Sequence, residues 1–236
     1  MTTATDYKAI AQTLTEHLTL TPVAILFQDS PPTNIERFNG TVPAGCAFWR
    51  LAAEGQAFWT AAEDHYNCAV GCHTHNISLP EDRAGELDST LGLMTENGYL
   101  RMEEVPQIPR LQTSPKAIVY TPLAQTSADP DVVLLAGPAA RLMLVQEAAQ
   151  RAGVACGNAL FDRPTCMALP AAMANGVTAS LGCVGNRVYT DSDPGNLYVA
   201  VPGNEIAAVA HELPTIVSAN ERLREYHQGR QQAIGS

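Results

Sequence analysis

The stretch Asn67-Cys-Ala-Val-Gly-Cys-His-Thr-His75 holds two cysteines and two histidines within nine residues, and His65 comes just before it. We take this stretch as the segment around which the rest of the chain is organised. Cysteine and histidine are the ligand types that select zinc, copper or iron–sulfur clusters. Cys68 and Cys72 are four residues apart, so they would share one face of a helix, and His75 follows three residues later. This Cys-x3-Cys-x2-His pattern predicts a metal or redox site that needs further ligands from elsewhere. The alternative is a pair of small buried thiols beside two surface histidines.

Composition indicates a folded chain with a sizeable core. Of the 236 residues, 46% are hydrophobic and 16% are charged, which is a globular rather than a disordered composition. We predict a single domain spanning residues 1–236. The six cysteines occur in a chain that is too long for a small disulfide scaffold, and in a reducing compartment such cysteines bind metal, do redox work or lie buried.

Charge and hydropathy limit the partners. The net charge is −10, and the 14 Lys and Arg residues form no cluster, so we expect no binding to nucleic acid or to an anionic membrane surface. The segment Met1–Asp6 lacks the basic and apolar regions of a signal peptide, and no apolar run approaches a membrane span. These patterns predict a cytoplasmic protein that meets a small-molecule substrate or an electron-transfer partner, with a homo-oligomer left open.

Hydrophobic periodicity predicts an α+β or α/β fold. Short apolar runs typical of strands alternate with segments in which apolar residues recur at helical spacing. The clearest helix covers 139–152. The segment from Glu205 to about Gln228 predicts either one C-terminal helix or two helices that are separated by a break at Pro214. The predicted strands cover 23–27, 56–61, 115–120, 131–135, 177–181 and 197–201.

The two halves of the chain, 1–110 and 111–236, share a loose internal repeat. In the first half, Pro-x2-Cys46 opens an alanine-containing helix that is followed by Gly55, a strand and Cys68. In the second half, Pro-x-Cys166 opens a similar helix that is followed by Gly176, a strand and Cys183. The spacing from cysteine to glycine is 9 residues in one half and 10 in the other. A true repeat would bring cysteines from both halves to one shared interface.

Three segments of the second half and one of the first resemble the uncharacterised ArCR family of bacterial and archaeal proteins. They are Cys166–Gly176, Ser180–Thr190, Leu197–Gly203, and the region of Cys68 that follows Glu63-Asp-His65. The resemblance implies a single soluble domain with cysteine-bearing turns, and it brings no established activity. It supports Cys68, Cys166 and Cys183 more directly than Cys72 and the neighbouring histidines, which are less typical of the family.

These patterns together predict a [4Fe–4S] protein that acts as a redox or Lewis-acid enzyme on a small molecule, either an oxidoreductase or a lyase. Four thiolates suit such a cluster, and the predicted ligands are Cys68, Cys72, Cys166 and Cys183, with His75 or Cys46 as alternatives. The weaker catalytic candidates are His65, as an acid or base, and Arg187, which offers a rigid fork of hydrogen-bond donors.

Two other functions remain open from the sequence. A structural or regulatory zinc or thiol protein would close a tetrahedral site with cysteine and histidine ligands. A catalytic cysteine served by His65 or His73 is a further alternative, although nothing marks one cysteine as unique. The sequence contains no Walker A pattern, no Gly-x-Gly-x-x-Gly and no Gly-x-Ser-x-Gly, which argues against nucleotide-dependent and serine-hydrolase chemistry.

Overall fold

The chain forms one mixed sheet with helices on both faces, as seen in a computed structural model that describes residues 5–161 and 163–235. Residues 1–4, which belong to the segment predicted to lack a signal peptide, lie outside these ranges. The predicted α+β class is confirmed. The elements are α1 (Tyr7–Leu18), β1 (Val23–Gln28), α2 (Cys46–Ala53), β2 (Phe58–Thr60), α3 (Ala69–Thr74), α4 (Glu86–Glu96), β3 (Ala117–Pro122), β4 (Val132–Pro138), α5 (Ala139–Arg151), β5 (Cys156–Phe161), α6 (Ala168–Asn175), β6 (Val177–Ser180), α7 (Val184–Thr190), β7 (Asn196–Pro202) and α8 (Ile206–Gly235).

The strands lie in the order β2-β3-β1-β4-β7-β6-β5, and neighbours are antiparallel except for the parallel pair β5 and β6. The central strands β1 and β4 pair Val23 with Leu134. On one side of this pair lie β3 and then β2, and on the other side lie β7 and then β6. The sheet therefore has two equivalent sets of three strands, β1-β3-β2 and β4-β7-β6, which meet between β1 and β4. Strand β5 is added at the β6 edge.

The strand registers on the two sides are equivalent. Val23, the first residue of β1, pairs with Pro122, the last residue of β3. Val132, the first residue of β4, pairs with Pro202, the last residue of β7. A 3₁₀ turn follows each of these prolines, at 123–125 and at 203–205.

The hydrogen bonds just beyond these strands repeat as well. Leu123 N–H donates to the Pro22 carbonyl at 2.8 Å, and Gly203 N–H donates to the Asp131 carbonyl at 2.9 Å. The repeated pattern of sheet pairing therefore extends over 22–125 and 131–205, and β3 is the counterpart of β7.

The central strands are buried on both faces because each face packs against its own layer of helices. On one face, alternate strand residues such as Ala24 and Leu26 pack with α1, α5 and α8. On the other face, the intervening residues such as Val23 and Ile25 pack with α2 and α6. Continuous apolar runs are the expected pattern for strands that are covered on both sides. The cysteine-bearing turns lie on the α2 and α6 side.

Helix α8 continues through Pro214, so the C-terminal segment forms one helix rather than two. Its first turns pack against α1 and α5 through Ile206, Val209 and Leu213, which are buried. Among the residues that the structure describes, no helix is long and apolar enough to cross a membrane.

Candidate functional site

Four cysteines, two from each half, lie at the starts of helices and line one cavity of about 740 Å³. Cys46 is the first residue of α2, and Cys166 lies in the 3₁₀ turn that leads into α6. Cys68 caps α3, and Cys183 caps α7. We call Cys46, Cys68, Cys166 and Cys183 the cysteine quartet.

The two capping cysteines use their sulfurs in the same way. The Gly71 N–H donates to Cys68 Sγ at 3.3 Å, and the Asn186 N–H donates to Cys183 Sγ at 3.4 Å. In each case the donor lies three residues after the cysteine, where side-chain caps usually accept a hydrogen bond. A sulfur that accepts a backbone N–H is stabilised as a thiolate, which is the form that binds metal.

Cys166 accepts its hydrogen bond from a side chain. Thr74 Oγ1 lies 3.1 Å from Cys166 Sγ, 2.9 Å from the Gly71 carbonyl and 3.2 Å from His75 Nδ1. The Gly71 carbonyl already accepts the backbone N–H of His75 at 3.0 Å and the His75 ring at 2.8 Å, which assigns the ring proton to Nδ1. Both lone pairs of that carbonyl are therefore used, and the Thr74 hydroxyl is left to donate to Cys166.

A hydrogen bond from a backbone N–H to a side chain joins the turns that carry Cys166 and Cys183. The Cys183 N–H donates to Thr165 Oγ1 at 2.6 Å, and Thr165 is 1% exposed. This bond fixes Cys183 beside the residue that precedes Cys166.

Cys46, Cys68 and Cys166 are costly to ionise without a nearby cation. Burial, followed by negative charge on Cys68 and Cys183, raises the pKa of the Cys46 thiol to about 12. Burial also raises the pKa of Cys68, and it raises the pKa of Cys166 well above its usual range. In each of the six pairs formed by the quartet, charge repulsion raises the pKa of a member. Positive charge placed among the sulfurs would offset this repulsion.

Two buried polar side chains face the quartet without an ordinary hydrogen-bond partner. The hydroxyl of Tyr120, a residue with 0% exposure, has none, and Cys46 and Cys166 lie near enough for their charges to raise its pKa. The side-chain amide of Asn186, which is 2% exposed, lowers the pKa of Cys46 without reaching ordinary hydrogen-bond geometry. Buried polar groups are normally paired, so these two positions indicate room for an acceptor.

Cys72 points away from the cavity. Its thiol is 1% exposed and donates to the His65 carbonyl at 3.2 Å. Burial raises the pKa of Cys72 to about 12. Cys68 is extended at the cap of α3, with φ −135°, so it does not share the helical face of Cys72. The structure thus brings Cys68, Cys166 and Cys183 together with Cys46 and leaves Cys72 in the layer behind them.

His65 and His75 lie in the same layer, each 2% exposed, with ring centroids 5.9 Å apart. Burial lowers the pKa of His65 to about 3 and also lowers the pKa of His75, so both rings are neutral near pH 7. His65 Nε2 lies 2.8 Å from Thr60 Oγ1. Neither ring lines the cavity, so the structure offers no direct contact between them and a molecule bound there.

Arg187 shapes the backbone after Cys183. Its guanidinium donates to the carbonyls of Leu181, Pro194 and Asn196, which hold the loop on both sides of α7. Cys156 lies on the edge strand β5, outside the cavity lining.

The sequence indicated Cys46 only as an alternative ligand, and it did not indicate Thr74, Tyr120 or Asn186 as site residues. The signal for Cys46 is present in the repeat, since Cys46 and Cys166 each follow a proline and open a helix. Tyr120 carried no signal, because it lies within an apolar strand far from any cysteine in the sequence.

Within residues 5–161 and 163–235, no three Cys, His, Asp or Glu side chains are grouped so as to hold a single metal ion. Four sulfurs around one zinc ion would lie only about 3.8 Å apart, given Zn–S bonds of about 2.3 Å.

The family model described as uncharacterised ArCR matches residues 13–212, a range that includes the whole quartet. No curated protein and no solved structure matches the chain.

Proposed function

We propose that this chain, which belongs to the uncharacterised ArCR family, holds a [4Fe–4S] cluster on Cys46, Cys68, Cys166 and Cys183 and uses it as an oxidoreductase of a small molecule. The observation that carries the proposal is the cysteine quartet itself, which draws two thiols from each half to one cavity. Four thiolates are the usual ligand set of such a cluster.

The spacing of the quartet favours a cluster over a single ion. A [4Fe–4S] cluster takes one cysteine at each of four separate irons, so its thiolates stand farther apart than the ligands of one zinc ion. The quartet lies close enough for each pair to interact electrostatically, but it forms no single-ion group among the described residues.

The unpaired polar atoms fit a group with acceptor sulfurs. The Tyr120 hydroxyl and the Asn186 amide are buried donors beside Cys46. Bridging sulfides and ionised thiolates accept hydrogen bonds, and such bonds help to set cluster potentials. Both donors therefore gain partners when the group is bound.

The ligand count favours redox chemistry over a lyase. When bound, the cluster supplies one-electron transfer, and four cysteines leave no iron open for a substrate. The chain fixes Cys68 and Cys183 with backbone N–H groups and Cys166 with the Thr74 hydroxyl. The cavity beside the quartet provides a place for a substrate within reach of the electron.

The test is anaerobic reconstitution of the purified chain with iron and sulfide. We expect about four irons and four acid-labile sulfides per chain, with a broad visible absorbance that bleaches on reduction. The variant Cys46→Ser should take up far less of both, whereas Cys72→Ser should match the wild-type chain. Tight binding of zinc without sulfide would support the zinc alternative, and loss of iron in Cys72→Ser with retention in Cys46→Ser would overturn the proposed ligand set.

A further inference from the structure

The cavity beside the quartet has a second wall that is built from a single region of the chain. Helix α4 and the segment 99–108 face the quartet from across the cavity. The corresponding connection in the second half, between α7 and β7, covers only 191–195. The first half therefore carries an added segment, which the second half lacks, and this segment forms the wall of the pocket opposite the quartet. The volume of about 740 Å³ lies within the range of pockets for small organic molecules.

Much of the lining is apolar. Leu91 and Leu100 are buried at the second wall, and Met94 lies on the same face of α4. Val70 and Val184 follow the two capping cysteines on the quartet side. A ligand in this space therefore removes apolar surface from water on both of its sides, which favours an apolar body.

The charged side chains that line the cavity are already paired. Glu86 accepts two hydrogen bonds from the Arg83 guanidinium, at 2.5 and 2.8 Å. Glu104 pairs with Arg163 at 3.0 Å and with Arg101 at 2.9 Å. These two glutamates and Arg163 are the charged lining residues within the described parts of the chain, apart from the thiols. A charged ligand would have to replace one of these pairs to gain a partner.

The quartet disfavours an anion in particular. A cluster held by four thiolates keeps negative charge, and the chain as a whole carries −10. An anionic group brought into this cavity would lose water and meet like charge, and both effects cost free energy.

We propose that the cavity binds an uncharged organic molecule with a predominantly apolar body, held between the quartet and the α4 wall. This inference rests on the proposed function for the identity of the quartet's cofactor, but the apolar lining and the paired charges hold with or without it.

The test measures binding of three probes that share one ring system, using calorimetry on the chain before and after reconstitution. The probes are 2-naphthylmethanol, which is neutral, 2-naphthoate, which is an anion, and 2-naphthylmethylamine, which is a cation near pH 7. We expect the neutral probe to bind at least about tenfold more tightly than the anion. We also expect this ratio to grow on reconstitution, because the thiols then carry negative charge.

Matched variants on α4 locate the binding site. Met94→Trp adds a bulky ring to the cavity lining and should weaken the neutral probe by about tenfold or more. Leu93→Trp adds the same ring one residue earlier, at a side chain that is 62% exposed and outside the lining, and should leave binding unchanged.

The outcomes separate this inference from the proposed function. A chain that takes up iron and sulfide but binds no probe, or binds the anion or the cation most tightly, overturns the inference and leaves the cluster standing. Tightest binding of the neutral probe that Met94→Trp weakens, in a chain that takes up no iron, supports the apolar site and overturns the cluster.

Discussion

Cys68 and Cys183 hold equivalent positions in the two halves of the molecule. Cys68 follows β2 and Cys183 follows β6, and each caps a short helix and accepts an N–H from the third residue of that helix, Gly71 and Asn186 respectively. The sheet registers around β1 and β4 repeat in the same way. Because the two halves meet at these strands, the equivalence places both sulfurs at one cavity.

We predict that Cys68→Ser and Cys183→Ser have similar effects. Each should lower the iron bound after reconstitution and lower the melting temperature of the reconstituted chain by at least about 5 °C, since a group that binds only the folded state stabilises it. Iron content and thermal melting, both measured without oxygen, check this.

The control is Cys156→Ser, because Cys156 lies on β5 outside the cavity lining. It should keep both iron and melting temperature. If one capping cysteine proves essential and the other has no effect on iron content, the two halves do not share one site.

Thr74 should set the potential of the cluster through Cys166. Its hydroxyl donates to Cys166 Sγ at 3.1 Å, and hydrogen bonds to the sulfurs stabilise the more negative, reduced state. The variant Thr74→Val keeps a similar side-chain shape but removes the hydroxyl. It should lower the reduction potential of the cluster by about 60 mV, the equivalent of about 1.4 kcal/mol for one electron.

A suitable comparison is Thr178→Val, since Thr178 is a threonine of 1% exposure that bonds the Gly176 carbonyl instead. Potentiometric titration of the reconstituted wild type and both variants measures the shift in reduction potential, which we expect only in Thr74→Val. Equal shifts in the two variants would mean that the hydrogen bond to Cys166 has no specific role.

The sequence predicted most of the sheet because its strands are apolar and bounded by proline and glycine. The strand β5 was missed because Cys156-Gly-Asn158 lacks the β-branched and aromatic residues that favour strands. Its pairing with β6 in the sheet decides its conformation, and that pairing is not visible locally.

The site was harder to predict than the sheet because it depends on single backbone conformations. The spacing of Cys68 and Cys72 suggested one helical face, but Cys68 is extended at the cap and its sulfur turns toward the cavity. Cys46 lies beside the other three cysteines because the two repeated halves pack together. The spacing of residues along the chain shows this repeat only loosely. The repeat pattern was thus more informative about the site than the densest cysteine segment.

The buried histidines should make the fold sensitive to acid. Burial lowers the pKa of His65 to about 3, whereas an unfolded histidine has a pKa near 6.5. Between these values the unfolded state binds the extra proton, so stability falls as pH falls from about 6.5 toward 3. For His65 alone we expect a loss of about 2.5 kcal/mol between pH 7 and pH 4.5.

Urea unfolding at the two pH values measures this loss. His65→Gln should be less stable than wild type at pH 7 but should lose about 2.5 kcal/mol less on acidification. His227→Gln, at an exposed position on α8, should follow the wild-type curve. An acid loss that is unchanged in His65→Gln would show that His65 is not held neutral by the fold.

Arg163 joins the second wall of the cavity to the turn that carries Cys166. Its guanidinium lies 4.9 Å from the centre of the Tyr99 ring and 3.0 Å from the Glu104 carboxylate, and it precedes Cys166 by three residues. Leu91 is the one buried residue of α4. The second wall therefore depends on side-chain links of this kind to stay closed over the quartet.

We predict that Glu104→Gln exposes the quartet. The variant removes the ion pair but keeps the shape of the side chain, so the wall should open more often and the quartet in the metal-free chain should react faster with a maleimide. Mass spectrometry of the labelled cysteines at successive times should show a rise of about threefold or more for Cys68 and Cys183, which corresponds to a loss of about 0.7 kcal/mol, typical of an exposed or partly exposed pair. Glu103→Gln makes the same change at the preceding, exposed residue and should leave the rates as in wild type. Cys156 in the same molecules reports any general loosening, so equal acceleration at Cys156 and at the quartet would argue against a local latch at Arg163.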